Sequence, residues 1–188
     1  VRQDLDRIKA LGVDILWLMP IHPSTTYHKY NVSDYYAIDP MFGTMEDMVA
    51  LIDALHSRDM KLILDLVPNH SSNQHFWFKE ALKGRDNPYY DYYTCVTTAE
   101  KVGGRTYQKI AGVDCWFECN FSGEMPELNF DNPEVRQAMV DVAKFYLDMG
   151  IDGFRFDAAK YIYYGDNAKS AEFWDWYMAQ LRAIKPDI

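Results

Sequence analysis

Two charged residues lie two positions apart in the segment IDGFRFDAAKY, residues 151–161: Arg155 and Asp157. Side chains alternate across an extended strand, so Gly153, Arg155 and Asp157 share one face while Phe154 and Phe156 point to the other. The phenylalanines suit a covering layer of helices. A carboxylate and a guanidinium on the opposite face would be costly to bury without a purpose, so the pair marks a candidate site of carboxylate chemistry. KLILDLVPNH, residues 61–70, repeats the pattern. Ile63, Asp65 and Val67 share a face there, and on a neighbouring strand Asp65 would stand beside Arg155. A structural ion pair with Arg155 accounts for Asp65; Asp157 is the functional candidate.

The elements that must position these residues are legible in the same chain. Residues 2–11 place Leu5, Ile8 and Leu11 on one helical face before Gly12. ILWLMP, 15–20, is a short apolar run closed by Pro20, as expected of a buried strand. Thr44 opens the next helix with Asp47 at the capping-box position, and Met48, Leu51, Ile52 and Leu55 form its apolar stripe. KLILDLV, 61–67, is a second strand. Residues 71–126 show no sustained period and are predicted to be irregular. A helix follows Asn132, with Pro133 in its first turn and Gly150 at its end. IDGFRFDA, 151–158, is a third strand, and residues 170–185 form a last amphipathic helix.

Apolar strands separated by helices predict a parallel sheet covered by helices, with right-handed crossovers bringing all strand C-termini to one rim. A closed eight-fold β/α barrel takes about 250 residues, and three strands cannot close one. The reading is therefore α/β and most economically a fragment of such a barrel; a complete three-stranded doubly wound domain would leave both sheet edges poorly protected. Residues 71–126 interrupt the alternation between 1–70 and 127–188.

Composition narrows the classes. The 188 residues are 48% hydrophobic and 25% charged, enough for a packed core. Asp and Glu number 28 against 19 Lys and Arg, and a net charge of -9 argues against a nucleic-acid partner. No apolar run approaches the roughly 18 residues of a membrane span. The 14 Tyr, 10 Phe and 5 Trp suit either a large core or a cleft that stacks rings on sugars. Cys95, Cys115 and Cys119 are an odd set; Cys115 and Cys119 are a weak zinc signal, and the expectation is ordinary thiols with one local bridge if the protein is exported. The chain opens on Val1 without a leader, which leaves localisation open.

DLVPNH, MPELNF and GFRFDAAKY, in that order and spacing, resemble three sequence blocks of the α-amylase superfamily, glycoside hydrolase family 13. YHKYNVSDYYAIDPMFGT resembles the family's loop after the second barrel strand. The resemblance implies a partial (β/α)8 barrel from its first helix to its fourth, with 1–70 and 127–188 as barrel segments and 71–126 as a small irregular domain inserted after the third strand. The resemblance implies a retaining hydrolase of α-glucosidic bonds in starch, glycogen or maltodextrins, working with two carboxyl groups about 5–5.5 Å apart. It implies that Asp157 is the nucleophile and that Arg155 keeps its carboxylate ionised and aimed. His70 would hydrogen-bond the sugar at the cleavage subsite, Tyr30 would stack beneath it, and Lys160 would line the aglycone side. Asn69 matches a ligand of a structural calcium ion, whose other ligands would lie in the insertion and in the backbone near Tyr161. No organic cofactor is implied. Glu127, in MPELNF, reads as a loop anchor.

Two positions depart from the pattern: Tyr161 stands where many α-amylases have His, and Asn31 where Asp is common. The family's general acid and second Asp would lie beyond Ile188, so the chain would hold one of three catalytic carboxylates and by itself be inactive. MPELNF and HKYNVSDYY favour an amylase or neopullulanase-like enzyme over an oligo-1,6-glucosidase. An exo-acting α-glucosidase or glucan transglycosylase would use the same groups. A non-catalytic transporter subunit is disfavoured because Asp157, Arg155 and His70 are present together. An independent α/β sugar-binding module is a further alternative, which binding by the isolated chain, lost on Tyr30→Ala, would support. Export would fit an enzyme that degrades polymers.

Overall fold

The computed structural model describes residues 1–188, and their spine is a parallel sheet of three strands. After helix α1 (Leu5–Ala10) come β1 (Ile15–Leu18), α2 (Met45–His56) and β2 (Lys61–Leu66). The inserted segment holds α3 (Phe76–Ala81), β3 (Cys95–Val96), β4 (Tyr107–Lys109) and β5 (Trp116–Glu118); then follow α4 (Pro133–Met149), β6 (Gly153–Phe156) and α5 (Asn167–Ile184). The main sheet has the order β1-β2-β6, all parallel, with Trp17 opposite Ile63 and Asp65 opposite Arg155. The sheet stays open: three strands do not form a closed barrel.

Local chemistry explains the ends of the helices. The Thr44 hydroxyl accepts from Asp47 N, and the Asp47 carboxylate accepts from Thr44 N, each at 3.2 Å. Such reciprocal caps satisfy two N–H groups that the helix leaves unpaired and contribute about 1 kcal/mol. Helix α4 starts with the Asn132 side chain accepting from Glu134 N at 2.8 Å and ends at Gly150, whose φ is 111°. A side chain there would be strained and would meet Ile52 Cγ2 at 3.1 Å. Leu62, Leu64 and Leu66 on one sheet face are buried, as are Leu51, Ile52 and Leu55 of α2 and Phe173 and Tyr177 of α5. Phe156 joins this layer, its ring 4.9 Å from Trp174 and 5.6 Å from Tyr177.

The structure corrects four expectations. Leu11 is exposed because α1 stops at Ala10, so the last residue of the apolar triad falls in a turn. β1 is not buried: it lies at the sheet edge and its Ile15 and Trp17 side chains are exposed. Helix α5 begins at Asn167, where Asp166 accepts from Lys169 N at 2.9 Å. The insertion is not irregular throughout, since β3, β5 and β4 form an antiparallel sheet. Its strands of two or three residues are too short to show a period.

Cys95 is bonded to Cys115, which tethers β3 beside β5, and Cys119 remains a buried thiol. That pairing leaves no Cys115–Cys119 zinc site. The two ends of the insertion are stitched together: His70 bridges Glu127, Tyr93 bridges Leu128, and Leu128 N donates to Asn69 O at 3.0 Å. The segment following β2 and the segment entering α4 thus meet at the sheet's C-terminal rim.

Candidate active site

Register brings the charged residues together. Asp65 and Arg155 are partners across β2 and β6, and Arg155 Nη1 lies 3.2 and 3.1 Å from the two Asp65 oxygens. The same nitrogen donates to Asp157 Oδ1 at 2.6 Å. One guanidinium therefore bridges a carboxylate that is fully enclosed and another whose side chain is 20% exposed. Burial pushes the Asp65 carboxyl up to about 6, overriding the opposite pull of Arg155. Asp157 N donates to Leu66 O at 2.9 Å, which continues the strand pairing to the rim. The next residue, Ala158, has φ 53°, a left-handed conformation that a non-glycine residue adopts at a cost.

Tyr30 comes from the loop between β1 and α2, its hydroxyl donating to Asp65 Oδ2 at 3.4 Å. Burial raises its phenol above the usual range, and the Asp65 and Asp157 charges push the same way. His70 is buried, and both ring nitrogens have partners. The Asn69 amide lies 3.3 Å from Nδ1, so Nδ1 accepts and Nε2–H donates to Tyr30 O at 3.2 Å. The expected sugar contact is thus not open in this geometry; the ring ties the Tyr30 loop to the rim. Desolvation lowers the His70 imidazole to about 4, so it is neutral near pH 7. Lys160 stays exposed on the turn after β6, its ammonium 4.9 Å from the Tyr161 ring and outside the carboxylate cluster.

Sequence reasoning missed two aromatic neighbours of the site, Phe121 and Trp17. Phe121, from the insertion, is half-exposed and lies 5.1 Å from the His70 ring and 4.7 Å from Tyr161. Tyr161 in turn stacks on Tyr164 at 5.0 Å. Trp17, on β1, lies 5.6 Å from the Arg155 guanidinium. The register of β1 against β2 puts Trp17 on the Ile63 and Asp65 face, which the sequence alone does not give, and nothing in the spacing around Phe121 signals its place. A largely apolar cavity of about 530 Å³ lies elsewhere, between Leu18–Ile21 and Met48–Leu51, and is lined by none of Asp65, Arg155 and Asp157.

Asn69 has neighbours, but they do not fit calcium, which takes roughly six to eight oxygens. The Asn69 side chain meets Glu127, which is buried, as is Glu118, whose charge acts on Glu127. The Asn120 amide donates to Glu118 Oε1 at 2.9 Å and to Glu127 Oε1 at 2.8 Å, while Arg105 Nη1 donates to Glu118 Oε2 at 3.3 Å. Arg105 also donates to the Tyr164 carbonyl. The carboxylates thus already face N–H donors and a guanidinium, no buried side-chain polar atom lacks a partner, and no three acidic, His or Cys groups converge. Burial and the Glu118 charge push Glu127 up to about 7. Glu127 is the anchor that its sequence context suggested.

Sheet and site together define an α/β protein with a charged cluster at its strand ends. Comparison with known proteins makes this specific: the chain belongs to the alpha-amylase catalytic-domain family, whose model matches residues 1–186. It is 46% identical over 185 residues to alpha-amylase 3 of Dictyoglomus thermophilum, covering 98% of this chain and 36% of that protein. It is 41% identical over 168 residues to the oligo-1,6-glucosidase of Bacillus cereus, covering 84% and 30%. Among solved structures, Amy13B of Eubacterium rectale superposes with a TM-score of 0.91 at 36% identity, over 99% of this chain and 37% of that one. The chain thus spans about a third of the length of these relatives.

Proposed function

We propose that this chain is the part of a (β/α)8 catalytic domain that carries the nucleophile of a retaining α-glucoside hydrolase acting on starch, glycogen or maltodextrins. The observation that carries the reading is Arg155 Nη1 shared between Asp65 and Asp157 at neighbouring strand ends. Asp65, enclosed, holds the guanidinium; Asp157, partly open, is held by it. In the first step an Asp157 oxygen attacks the anomeric carbon as the glycosidic C–O bond breaks, giving a glycosyl ester that water then cleaves. The departing oxygen takes its proton from a second carboxyl about 5–5.5 Å away. Asp65 is not that acid, because its side chain has no exposure through which to reach a substrate. The acid belongs to another segment of the whole enzyme.

Tyr30 would stack beneath the sugar, with Phe121 and Tyr161 forming a facing wall and Lys160 lining the leaving-group side. His70 would reach the sugar only by exchanging its Tyr30 carbonyl acceptor for a hydroxyl. The exposed Ile15 and Trp17 face of β1 supports the barrel reading, since closure of the sheet would cover it. A fluorinated glucosyl fluoride that forms a slow ester tests the assignment in the full-length enzyme. Mass spectrometry should find the label on the Asp157 peptide, and Asp157→Ala should lower turnover by several orders of magnitude while maltooligosaccharide binding persists. A label elsewhere, or wild-type turnover in that variant, overturns it.

A further inference from the structure

We propose that Lys29 is a positioning residue: its buried ion pair with Asp39 sets the main chain that presents Tyr30 to the carboxylates. Three non-glycine residues have positive φ, and two of them adjoin site residues: Ala158 follows Asp157, and Lys29, at φ 64°, precedes Tyr30. A left-handed conformation suits glycine and costs a lysine about 1–2 kcal/mol, so it persists only where other contacts enforce it. Here the enforcing contact is visible. Lys29 Nζ lies 2.6 Å from Asp39 Oδ2, with both side chains about nine-tenths buried (9% and 10% exposed).

Asp39 is itself fixed to the sheet. Its N–H donates to Ile21 O at 2.8 Å, just beyond β1, and its Oδ1 accepts from Met41 N at 2.9 Å. The Tyr30 loop is closed partly on itself, by the Ser24–Val32 bridge and by Asn31 Nδ2 donating to Thr25 Oγ1 at 2.6 Å. After Tyr30 it is tied to the rim by Ser72 N donating to Val32 O at 2.8 Å and by the Tyr35 hydroxyl donating to Val67 O and His70 O at 2.9 Å. Before Tyr30 the link is Lys29. Lys29 is the strut from that loop to the sheet-anchored segment. On the far side Tyr30 is held by its hydroxyl at Asp65 and its carbonyl at His70. Two-sided fixation is what holds a ring in one place against a substrate.

The functional consequence rests on the reading of Tyr30 as the sugar platform, so the test separates the two. In the full-length enzyme, Lys29→Gly relieves the backbone strain but removes the strut, whereas Lys29→Arg keeps the charge. Fluorotyrosine placed at position 30 reports the ring's environment by fluorine NMR without any substrate. Lys29→Gly should shift and broaden that resonance, with a melting temperature lowered by the Asp39 carboxylate left buried and unpaired, and Lys29→Arg should restore both. For maltotetraose, KM should rise about tenfold in Lys29→Gly with kcat within about twofold, the signature of lost uniform binding. An unmoved resonance in Lys29→Gly overturns the proposal. A moved resonance with wild-type KM leaves Lys29 as the positioning residue and removes Tyr30 from the sugar site.

Discussion

Asp65 and Arg155 face each other in register on neighbouring strands, and the guanidinium that reaches Asp65 at 3.1 Å also reaches Asp157 at 2.6 Å. Of the three, Asp65 is the enclosed one, and in the reaction proposed above it does not reach substrate. Its enclosure raises the penalty for losing the guanidinium, and that penalty keeps Arg155 where Asp157 needs it.

Arg155→Met should therefore destabilise the whole enzyme by leaving the Asp65 carboxylate enclosed and unpaired. A wholly buried pair would lose about 3–5 kcal/mol; with the Arg155 side chain 41% exposed and screened, about 2 kcal/mol is expected. Arg155→Met combined with Asp65→Leu should recover most of it. Urea denaturation of the two variants decides the matter, and an Arg155→Met midpoint equal to wild type would count against the pair.

Acid should destabilise the fold. Burial lowers His22, His70 and His75 to about 4, against about 6.5 in an unfolded chain. Between those values the unfolded chain binds protons that the fold excludes, so stability is full above about pH 6.5 and is lost as pH falls toward 4. Each ring contributes about 3 kcal/mol to that loss. Glu127 at about 7 and Asp65 at about 6 act oppositely: their contribution is full below their unfolded values and is lost as pH rises through the raised ones. Three rings outweigh two carboxyls, so the melting temperature should climb from about pH 4 to 6.5. A flat or falling profile by calorimetry would contradict the burial of these rings.

Chelation should have little effect. The Glu118 and Glu127 carboxylates take their hydrogen bonds from Asn120 and Arg105. An ion held there at a hundred times its Kd would add about 2.7 kcal/mol, easily seen as a fall in melting temperature with EGTA. No fall is expected, whereas Arg105→Met should lower the melting temperature in the presence or absence of calcium. A calcium-dependent melting temperature would show that the guanidinium does not fill this role.

Much of the scaffold was legible because its signals are local. Thr44 and Asp47 lie one turn apart, Gly150 closes a helix that Pro133 opens, and β6 alternates phenylalanine with charge; none of these needs a distant partner to be read. The insertion was opaque for the converse reason. β3, β4 and β5 are too short to carry a period, so neither the Cys95–Cys115 bond nor the approach of Phe121 to His70 could be read from spacing. Leu11 and Trp17 misled because apolar character alone does not say whether a layer exists to cover it.

Sequence by itself determined that Arg155 and Asp157 share a face and that Asp65 stands on a like strand, because strand alternation is a property of the backbone. Only the tertiary structure decided what surrounds them: His70 spent on the Tyr30 carbonyl, Arg105 set against Glu118, and Lys29 locked to Asp39. Such pairings join residues brought together by the packing of the whole apolar pattern, and no short stretch of chain contains the information that selects them.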